Sequence, residues 1–269
     1  SRACSVSHWT SEFDGTFMLI GIIETGRPPE QISAAPGSYP DMFERLLRGV
    51  SGDIAFRTFA ALDGDVPEDP AVCDGWLITG SKHGVYEKLD WIVRLEEFVR
   101  AAFKANVPMV GICFGHQVIA SALGGTVIQS EKGWGVGHHD YDLVAPPAWM
   151  TPRPKTFSIN AVHQDQVIEA PEGAEVIASS EFCENAVLAY GDTAFTIQPH
   201  PEFDDAFKRD LMEERLAGLV PADRMDAAYA TLGQQMDNVI AAQWIVDFLS
   251  HALEKRGKDT AADATPVPA

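Results

Sequence analysis

The sequence has few cysteines and few basic residues, and it has no long apolar run. Its cysteines, Cys4, Cys73, Cys113 and Cys183, include no Cys-x-x-Cys pair, which in a chain of this size predicts reduced thiols in a cytoplasmic protein rather than a disulfide framework. The 20 basic residues stand against 39 acidic ones, and the net charge of −19 argues against nucleic acid or an anionic membrane as a partner. No apolar stretch approaches the roughly 20 residues of a membrane helix.

The two ends of the chain differ from its middle. Residues 1–17 lack the basic and apolar parts of a signal peptide, and we interpret them as an extension or an expression remnant before a native start at Met18. Residues 254–269 end in a stretch rich in alanine, proline and small polar residues, which predicts a disordered tail. The 46% apolar content is enough to fill a core, so residues 18–253 are expected to form a single domain.

Strand-like and helix-like segments alternate in the first half of the chain. The expected strands are Leu19–Ile23, Asp53–Phe59, Gly75–Thr79 and Pro108–Cys113, and the expected helices are Tyr39–Val50, Leu89–Lys104 and His116–Leu123. Strands joined by helices of this length make right-handed crossovers, so the chain is predicted to be an α/β protein. Its fold class is a doubly wound, mostly parallel sheet with helices on both faces.

The pattern changes after residue 125. Short β-like pieces are expected at Thr126–Gln129, Tyr141–Val144, Thr156–Ile159, Glu175–Ala178, Ala186–Tyr190 and Ala194–Gln198. They predict antiparallel additions at the edge of the sheet, and the last one is expected to return to the core and deliver His200. Two helical stretches, Ala206–Ala217 and Asp223–Leu253, are predicted to close the domain.

The most informative segment is Gly111-Ile112-Cys113-Phe114-Gly115-His116-Gln117, which follows an apolar run. A strand that ends in Gly-x-Cys-x-Gly and then opens a helix is the nucleophile-elbow pattern, with sulfur in place of oxygen. Glycines are needed on both sides because the turn is too tight for a Cβ. The helix N-terminus beside Cys113 favours the thiolate, which is the reactive form of the thiol.

A histidine and a carboxylate stand two residues apart downstream, in Gln198-Pro199-His200-Pro201-Glu202. In an extended segment, positions two apart lie on the same side, and the two prolines stiffen the segment. Together with Cys113 these residues are the parts of a thiol nucleophile, its base and the group that orients the base. The combination predicts acyl transfer through a thioester.

Four segments together resemble the class I, triad-type glutamine amidotransferases. They are Gly111–Gln117, Thr79-Gly80-Ser81, His163-Gln164-Asp165-Gln166-Val167 and Pro199-His200-Pro201-Glu202. Over about residues 18–250 the chain most resembles stand-alone members similar to the amidotransferase domain of GMP synthase, which include the γ-glutamyl peptidases. The resemblance implies a flavodoxin-like fold, a small-molecule γ-glutamyl substrate and no cofactor.

The resemblance also implies a role for individual residues. Cys113 is the implied nucleophile, His200 its base and Glu202 the carboxylate that orients the base. Backbone N–H groups of Phe114 and of Gly80 or Ser81 are implied to form the oxyanion hole. The implied substrate-binding residues are Gln117, which lines the glutamyl pocket, and His163 and Asp165, which we otherwise interpret as a hydrogen-bonded turn beside it.

The oxyanion loop departs from the usual pattern. Many amidotransferase domains carry a glycine pair and a proline there, whereas this loop reads Thr79-Gly80-Ser81-Lys82-His83-Gly84, similar to the γ-glutamyl peptidase-like members. The departure leaves the donor open between Gly80 and Ser81, and it weakens the case for glutamine as the substrate. We hypothesise that Lys82 or His83 contacts the part of the substrate beyond the glutamyl group.

Each of these residues also has a structural or metal-binding alternative. His200 and Glu202 could bind a metal with His163 and Asp165, or with His138-His139-Asp140, but no spacing here makes three or four ligands converge, so no metal is predicted. Lys132–Gly137 is glycine-rich but lacks the strand-then-helix context of a phosphate loop, and is interpreted as a turn near the pocket. His116, Cys4, Cys73 and Cys183 are interpreted as structural residues.

Three functions stay open. The first is cysteine-dependent hydrolysis of a γ-glutamyl amide bond, in glutamine or in a γ-glutamyl peptide or amine. The second is a glutaminase subunit that delivers ammonia to a separate synthase chain. The third is a non-catalytic redox or regulatory protein on the same scaffold. Because a redox sensor needs neither His200 nor Glu202, the sequence favours the enzyme, a γ-glutamyl hydrolase with a Cys-His-Glu triad.

Overall fold

The computed structural model describes residues 17–32 and 36–263, which form strands and helices around one large sheet. The strands are β1 (Met18–Glu24), β2 (Ile54–Ala60), β3 (Gly75–Ile78), β4 (Met109–Ile112), β5 (Thr126–Gln129), β6 (Gly135–Leu143), β7 (Thr156–His163), β8 (Asp165–Glu169), β9 (Glu175–Ser179), β10 (Val187–Tyr190) and β11 (Ala194–Ile197). The α-helices are α1 (Tyr39–Arg48), α2 (Asp90–Lys104), α3 (Phe114–Ala122), α4 (Asp205–Leu211), α5 (Ala222–Tyr229) and α6 (Asn238–Asp263).

Nine strands form the large sheet in the order β2-β1-β3-β4-β11-β10-β9-β6-β7, and β5 pairs with β8 separately. The pairs from β2 to β11 are parallel, and those from β11 to β7 are antiparallel. The predicted doubly wound α/β sheet with antiparallel edge additions is therefore confirmed. The last strand returns to the centre, because β11 pairs in parallel with β4 and places Ile197 opposite Ile112. The segments that follow the C-terminal ends of β4 and β11 therefore start next to each other.

Helices cover both faces of the sheet. On one face α1 and α6 contribute Phe43 and Trp244 to a core that includes Ile20 and Leu77 of the sheet. On the other face α2 and α3 pack against the side chains of Trp76, Ile78 and Met109. The alternation within β3, where Trp76 and Ile78 face α2 and Leu77 faces α1, is the period of a strand buried on both sides.

The start of α1 has a sequence-encoded cap that also fixes one wall of the site. The Ser38 hydroxyl accepts a hydrogen bond from the Asp41 N–H at 3.2 Å, and the Asp41 carboxylate accepts one from the Ser38 N–H at 2.8 Å. This capping box satisfies two otherwise unpaired donors. It fixes the first helical residue, Tyr39, whose buried ring lies 5.9 Å from that of Phe203 between centroids.

The C-terminal third differs from the prediction. The single helix expected at Asp223–Leu253 is wrong: it is two helices, α5 and α6, separated by residues 230–237. Gly233 has φ +83, and the Thr231 hydroxyl accepts a hydrogen bond from the His138 N–H at 3.1 Å, so this segment leaves the helix to pack on β6. The helix expected at Ala206–Ala217 is α4 followed by one π-helical turn at Met212–Leu216.

Several strands and one helix also have boundaries that differ from the expected ones. Strands β6 and β7 are longer than expected, so Gly135–Gly137 of the expected turn belongs to β6, where a φ of +93 at Gly137 bends the strand. Strand β8 was not predicted, and its first residue, Asp165, belongs to the turn that was expected around His163 and Asp165. Helix α6 runs to Asp263, into the tail for which composition predicted disorder. Of the predicted N-terminal extension, residues 1–16 lie outside the described residues.

None of the described helices combines the length and the apolar character that a membrane crossing requires.

Candidate active site

The turn between β4 and α3 carries Cys113 in a strained backbone conformation, with φ 53 and ψ −102. The flanking glycines leave no room for a side chain: a Cβ on Gly111 would lie 2.5 Å from the Gly115 carbonyl, and one on Gly115 would overlap the carbonyl oxygen of Ile78. The Cys113 N–H donates to the Ile197 carbonyl at 2.9 Å. Strain of this kind persists only where the surroundings hold it, which is typical of functional turns.

His200 lies just beyond β11, beside this turn. Its Nδ1 is 2.7 Å from Oε1 of Glu202, and both side chains are almost fully buried, 5% and 1% exposed. The Glu202 carboxylate fixes the ring orientation and leaves Nε2 as the free nitrogen. The ring of Phe203 lies flat against the imidazole, 4.1 Å between centroids with 4° between planes. Sequence reasoning missed Phe203, although it directly follows Glu202.

Charge decides the protonation state of His200. Burial lowers its pKa, but the charges of Glu202 and Cys113, and hydrogen bonds to both side chains, outweigh burial and raise the pKa to about 10. The imidazole is therefore held as an imidazolium beside the sulfur at neutral pH. His116 and His163 behave in the opposite way, because burial lowers the pKa of each to about 3.

The loop after β3 passes over the imidazole. A Cβ on Gly80 would lie 2.9 Å from Cε1 of His200 and 3.7 Å from Cβ of Cys113, so only a glycine allows this approach. The buried Thr25 hydroxyl donates to the Gly80 carbonyl at 3.0 Å. Because a trans peptide points its N–H opposite to its carbonyl, the Ser81 N–H is directed away from Thr25.

The predicted oxyanion donors have no acceptor in the described part of the chain. The N–H groups of Gly80, Ser81 and Phe114 donate to no other described residue. The first N–H of α3, that of Phe114, cannot be satisfied within its own helix. Phe114 opens α3 directly after Cys113, where the helix dipole favours negative charge, and the Gly80 loop comes close to Cys113 from the neighbouring strand.

A cavity of about 310 Å³ opens on Cys113 and His200. The predicted Gly80, Ser81, Gln117, His163 and Asp165 line it, whereas Glu202 and Phe114 lie behind its wall. The other lining residues come from loops, from strands β5 and β7, from α1 and α4 and from the π-helical turn: Tyr39, Lys82, His83, Gly84, Tyr86, Glu87, Gln129, Trp134, Val162, Gln164, Phe203, Leu211, Arg215 and Leu216. The structure therefore brings the residues of all four sequence segments to one place.

The predicted substrate-binding residues are themselves hydrogen-bonded. The Gln117 amide donates to the Asp165 carbonyl oxygen at 3.0 Å and to Oε1 of Gln198 at 3.1 Å. Nδ1 of His163 lies 3.2 Å from the same Asp165 carbonyl, the hydrogen-bonded turn that the sequence indicated. Burial raises the pKa of Asp165, whose carboxylate accepts a hydrogen bond from Tyr86 at 3.1 Å.

Arg215 is a cavity residue that sequence reasoning missed. It lies on the π-helical turn Met212–Leu216, and its guanidinium makes no ion pair or hydrogen bond with the rest of the described chain. Single π-helical turns are frequent at functional sites. No sequence signal marks such a turn, so Arg215 could be found only from the structure.

The remaining cysteines and acidic residues offer no alternative centre among the described residues. Burial raises the pKa of Cys73, and it raises that of Cys183 to about 12, so both thiols stay protonated. Cys4 lies outside the described residues. The described part of the chain contains no group of three His, Cys, Asp or Glu side chains placed to hold a metal ion.

Comparisons with known proteins agree on a single family. The sequence model described as glutamine amidotransferase class-I matches residues 69–215, a span that includes both segments around Cys113 and His200. The chain is 32% identical to a glutamine amidotransferase-like protein of Schizosaccharomyces pombe, over 86% of this chain and 98% of that protein. It is 33% identical to γ-glutamyl peptidase 4 of Arabidopsis thaliana, over 68% of this chain and 74% of the peptidase.

The fold comparison points the same way. A glutamine amidotransferase structure from Methylobacillus flagellatus superposes with a TM-score of 0.68, at 22% identity, over 90% of this chain and 95% of that one.

Proposed function

The chain belongs to the class I glutamine amidotransferase family, and from this we propose that it hydrolyses a γ-glutamyl amide bond through a thioester on Cys113. The observation that carries the proposal is the position of His200, which lies buried beside the strained turn of Cys113 with its Nδ1 2.7 Å from Glu202. The neighbouring charges raise the pKa of His200 to about 10, and its other ring nitrogen is left for the Cys113 sulfur. A thiolate paired with an imidazolium is the reactive form of a cysteine nucleophile.

The first half of the reaction forms the thioester. The Cys113 thiolate attacks the γ-carboxamide carbon, and the carbonyl electron pair moves onto oxygen. The N–H groups of Phe114 and of Gly80 or Ser81 stabilise this oxyanion, and one such donor typically contributes about 3 kcal/mol. His200 transfers its proton to the leaving nitrogen, the carbon–nitrogen bond breaks, and the amine or ammonia departs.

The second half consumes water. The neutral His200 accepts a proton from a water molecule, whose oxygen attacks the thioester carbon. The carbon–sulfur bond then breaks, which restores the Cys113 thiolate and leaves His200 as the imidazolium. The product leaves as the γ-carboxylic acid, which loses its remaining proton to solvent and becomes the carboxylate. The Glu202 carboxylate keeps the imidazole in place during both halves, since its hydrogen bond to Nδ1 does not depend on the substrate.

Binding of the glutamyl group is assigned to the cavity wall. The guanidinium of Arg215, which has no ion-pair partner within the described ranges, fits the α-carboxylate of a γ-glutamyl substrate, because arginine binds carboxylates through paired N–H donors. Gln117, His163 and Asp165 remain candidates for the opposite side of the glutamyl group. Lys82 and His83 also line the cavity and stay candidates for the leaving group, and the similarity to γ-glutamyl peptidases favours peptides or amines over glutamine.

Turnover by the purified chain tests the proposal. Ammonia or amine release would be measured from glutamine and from a panel of γ-glutamyl peptides, with Cys113→Ala as the inactive variant. Cys73→Ala is the matched control, since it removes a buried cysteine outside the cavity. We expect release with wild type and Cys73→Ala only, and trapping by hydroxylamine of an acyl group on Cys113. A folded wild-type chain that is silent on every substrate would contradict self-sufficient hydrolysis and favour a subunit that needs a separate synthase chain.

A further inference from the structure

A fully buried lysine lies behind the segment that carries His200. The Lys208 side chain, on α4, has no exposed surface, and its Nζ is 2.7 Å from Oδ1 of Asn160 and 2.9 Å from Oδ1 of Asp205. Taking an ammonium out of water carries a large desolvation penalty, and a buried ion pair is weak evidence for stability. Packing alone does not explain a cation at this position, because a methionine would fill similar space.

Asn160, on β7, attaches both ends of the segment His200–Phe203. Its backbone carbonyl accepts the His200 N–H at 2.8 Å, and its side-chain Nδ2 donates to the Phe203 carbonyl at 3.0 Å. Asn160 is itself fully buried, so water does not compete for these bonds. One residue of the neighbouring strand therefore fixes the length and direction of the segment that includes Glu202.

Lys208 decides which way the Asn160 amide points. An ammonium group has only donors, so it requires the amide oxygen and leaves the NH₂ group for the Phe203 carbonyl. With the amide flipped, two oxygens would face each other at Phe203 and two donors would face each other at Lys208. The lysine thus selects the one orientation in which Asn160 holds the segment.

We propose that Lys208 and Asn160 are positioning residues for the His200 imidazole. The connection runs from the Phe203 carbonyl to the Phe203 ring, which lies flat on the imidazole at 4.1 Å. The Phe203 carbonyl also accepts a hydrogen bond from Nδ2 of Asn238 on α6 at 3.1 Å, so without the Asn160 bond it is held from α6 alone. The ring and the imidazole then move together away from Cys113. A displacement of about 1 Å from the reactive geometry typically costs about 100-fold in rate. This inference rests on the proposed function, since it assigns a role in placing the same base.

The test is Lys208→Met, which keeps the length and the burial but removes the donor. The rate of Cys113 alkylation by iodoacetamide would be followed against pH without substrate, together with kcat and KM for the best γ-glutamyl peptide. We expect the inflection of the alkylation profile to move to higher pH and kcat to fall about 10- to 100-fold, with KM within about twofold of wild type. Lys255→Met, an exposed helical lysine paired with Asp192 at 3.0 Å, is the matched control and should behave as wild type.

A double variant separates positioning from stability. Replacing both members of a buried polar pair by apolar residues of similar shape can be nearly neutral for folding, so Asn160→Leu with Lys208→Met should recover part of the Tm lost by either change alone. The rest of the loss reflects the bond to the Phe203 carbonyl and the ion pair with Asp205, which the double variant also lacks. The double variant also supplies the comparison if Lys208→Met does not fold. We expect its alkylation profile to stay shifted and its kcat to stay low. If the alkylation profile and kcat of the double variant returned to wild-type values together with the Tm, the proposal would be overturned. A wild-type alkylation profile in Lys208→Met would overturn it as well.

The alkylation profile needs no substrate. A wild-type enzyme that forms the thiolate but turns over no γ-glutamyl compound would therefore contradict the proposed function and leave the comparison with Lys208→Met valid.

Discussion

The phenyl ring of Phe203 lies parallel to the imidazole of His200, with 4.1 Å between the ring centroids and 4° between the planes. A flat aromatic face favours a cation placed over it, so the stack stabilises the imidazolium in addition to holding the ring. The stack covers one face of the imidazole but does not block its ring plane, in which the two nitrogens form hydrogen bonds. Nδ1 therefore stays with Glu202, and Nε2 is left for the sulfur.

Replacing Phe203 by leucine should weaken catalysis with little effect on the fold. Leucine keeps the contact with α4 but removes the aromatic face, so we expect kcat to fall about 5-fold, in line with the roughly 1 kcal/mol of an aromatic–cation contact. The matched control is Phe207→Leu. Its ring lies 4.6 Å from that of Phe203 and does not stack on His200, so any loss should appear in the Tm instead. Equal kcat losses in the two variants would contradict a specific role of the stack.

The pH dependence of activity should depend on Glu202. The raised pKa of His200 means that the imidazolium persists above its ordinary value of 6.5 and is lost only as the pH rises through about 10, so kcat/KM should stay high into the alkaline range. In Glu202→Gln the charge that opposes burial is absent, the pKa of His200 falls, and the alkaline limb should move to lower pH. We also expect a loss of about 100- to 10,000-fold in kcat/KM near neutral pH.

Glu44→Gln controls for the loss of a carboxylate, because Glu44 pairs with Arg48 at 3.5 Å on the surface of α1. An alkaline limb that stays in place in Glu202→Gln would show that Glu202 does not set the charge of His200.

Gly80 tests how closely the oxyanion loop must approach the base. A methyl group at Gly80 would meet Cε1 of His200 at 2.9 Å, so Gly80→Ala must displace either the loop or the imidazole. We expect kcat to fall about 100-fold, because both elements act on the same reacting carbon. Gly52→Ala is the matched control, since a Cβ there meets nothing within 4 Å. Wild-type turnover by Gly80→Ala would mean that the loop yields without cost and does not supply an oxyanion donor.

Local sequence patterns were enough for the core of the fold and for the residues that the structure brings together around Cys113. Gly111 and Gly115 mark a turn whose cause is local, since each glycine meets backbone atoms of the turn or of the neighbouring strand. His200 and Glu202 are two residues apart, so a short extended segment places them together without help from the rest of the chain. Periodicity likewise placed the central parallel strands β3, β4 and β11, because their burial on both faces gives an uninterrupted apolar run.

The residues that hold these elements in place could not be predicted from the sequence. Thr25 donates to the Gly80 carbonyl across 55 positions, and Lys208 donates to Asn160 across 48. Such contacts depend on strand order, which no single segment encodes. The break between α5 and α6 was missed for a related reason, since the composition of residues 230–237 is compatible with a helix. In the structure the side chains of Thr231 and Asp237 accept hydrogen bonds from backbone N–H groups of β6 and β7, and these long-range bonds hold the segment outside the helix.

Arg215 gives the sharpest test of how the substrate binds. Because its guanidinium has no partner among the described residues, Arg215→Met removes no internal ion pair and should leave the Tm near that of wild type. If Arg215 holds the α-carboxylate in the ground state and the transition state alike, KM should rise and kcat should change little. A charge-assisted hydrogen bond contributes about 1.5–3 kcal/mol, so the expected rise in KM is roughly 10- to 100-fold.

Two further measurements decide whether the α-carboxylate is the group that Arg215 binds. A substrate in which that carboxylate is a neutral amide should already have a high KM with wild type, and Arg215→Met should raise it no further. Arg209→Met, at an exposed arginine six residues earlier and outside the cavity, should leave KM for both substrates unaffected. If Arg215→Met raises KM equally for the two substrates, the guanidinium binds another part of the molecule, and the α-carboxylate must be held by the remaining cavity wall.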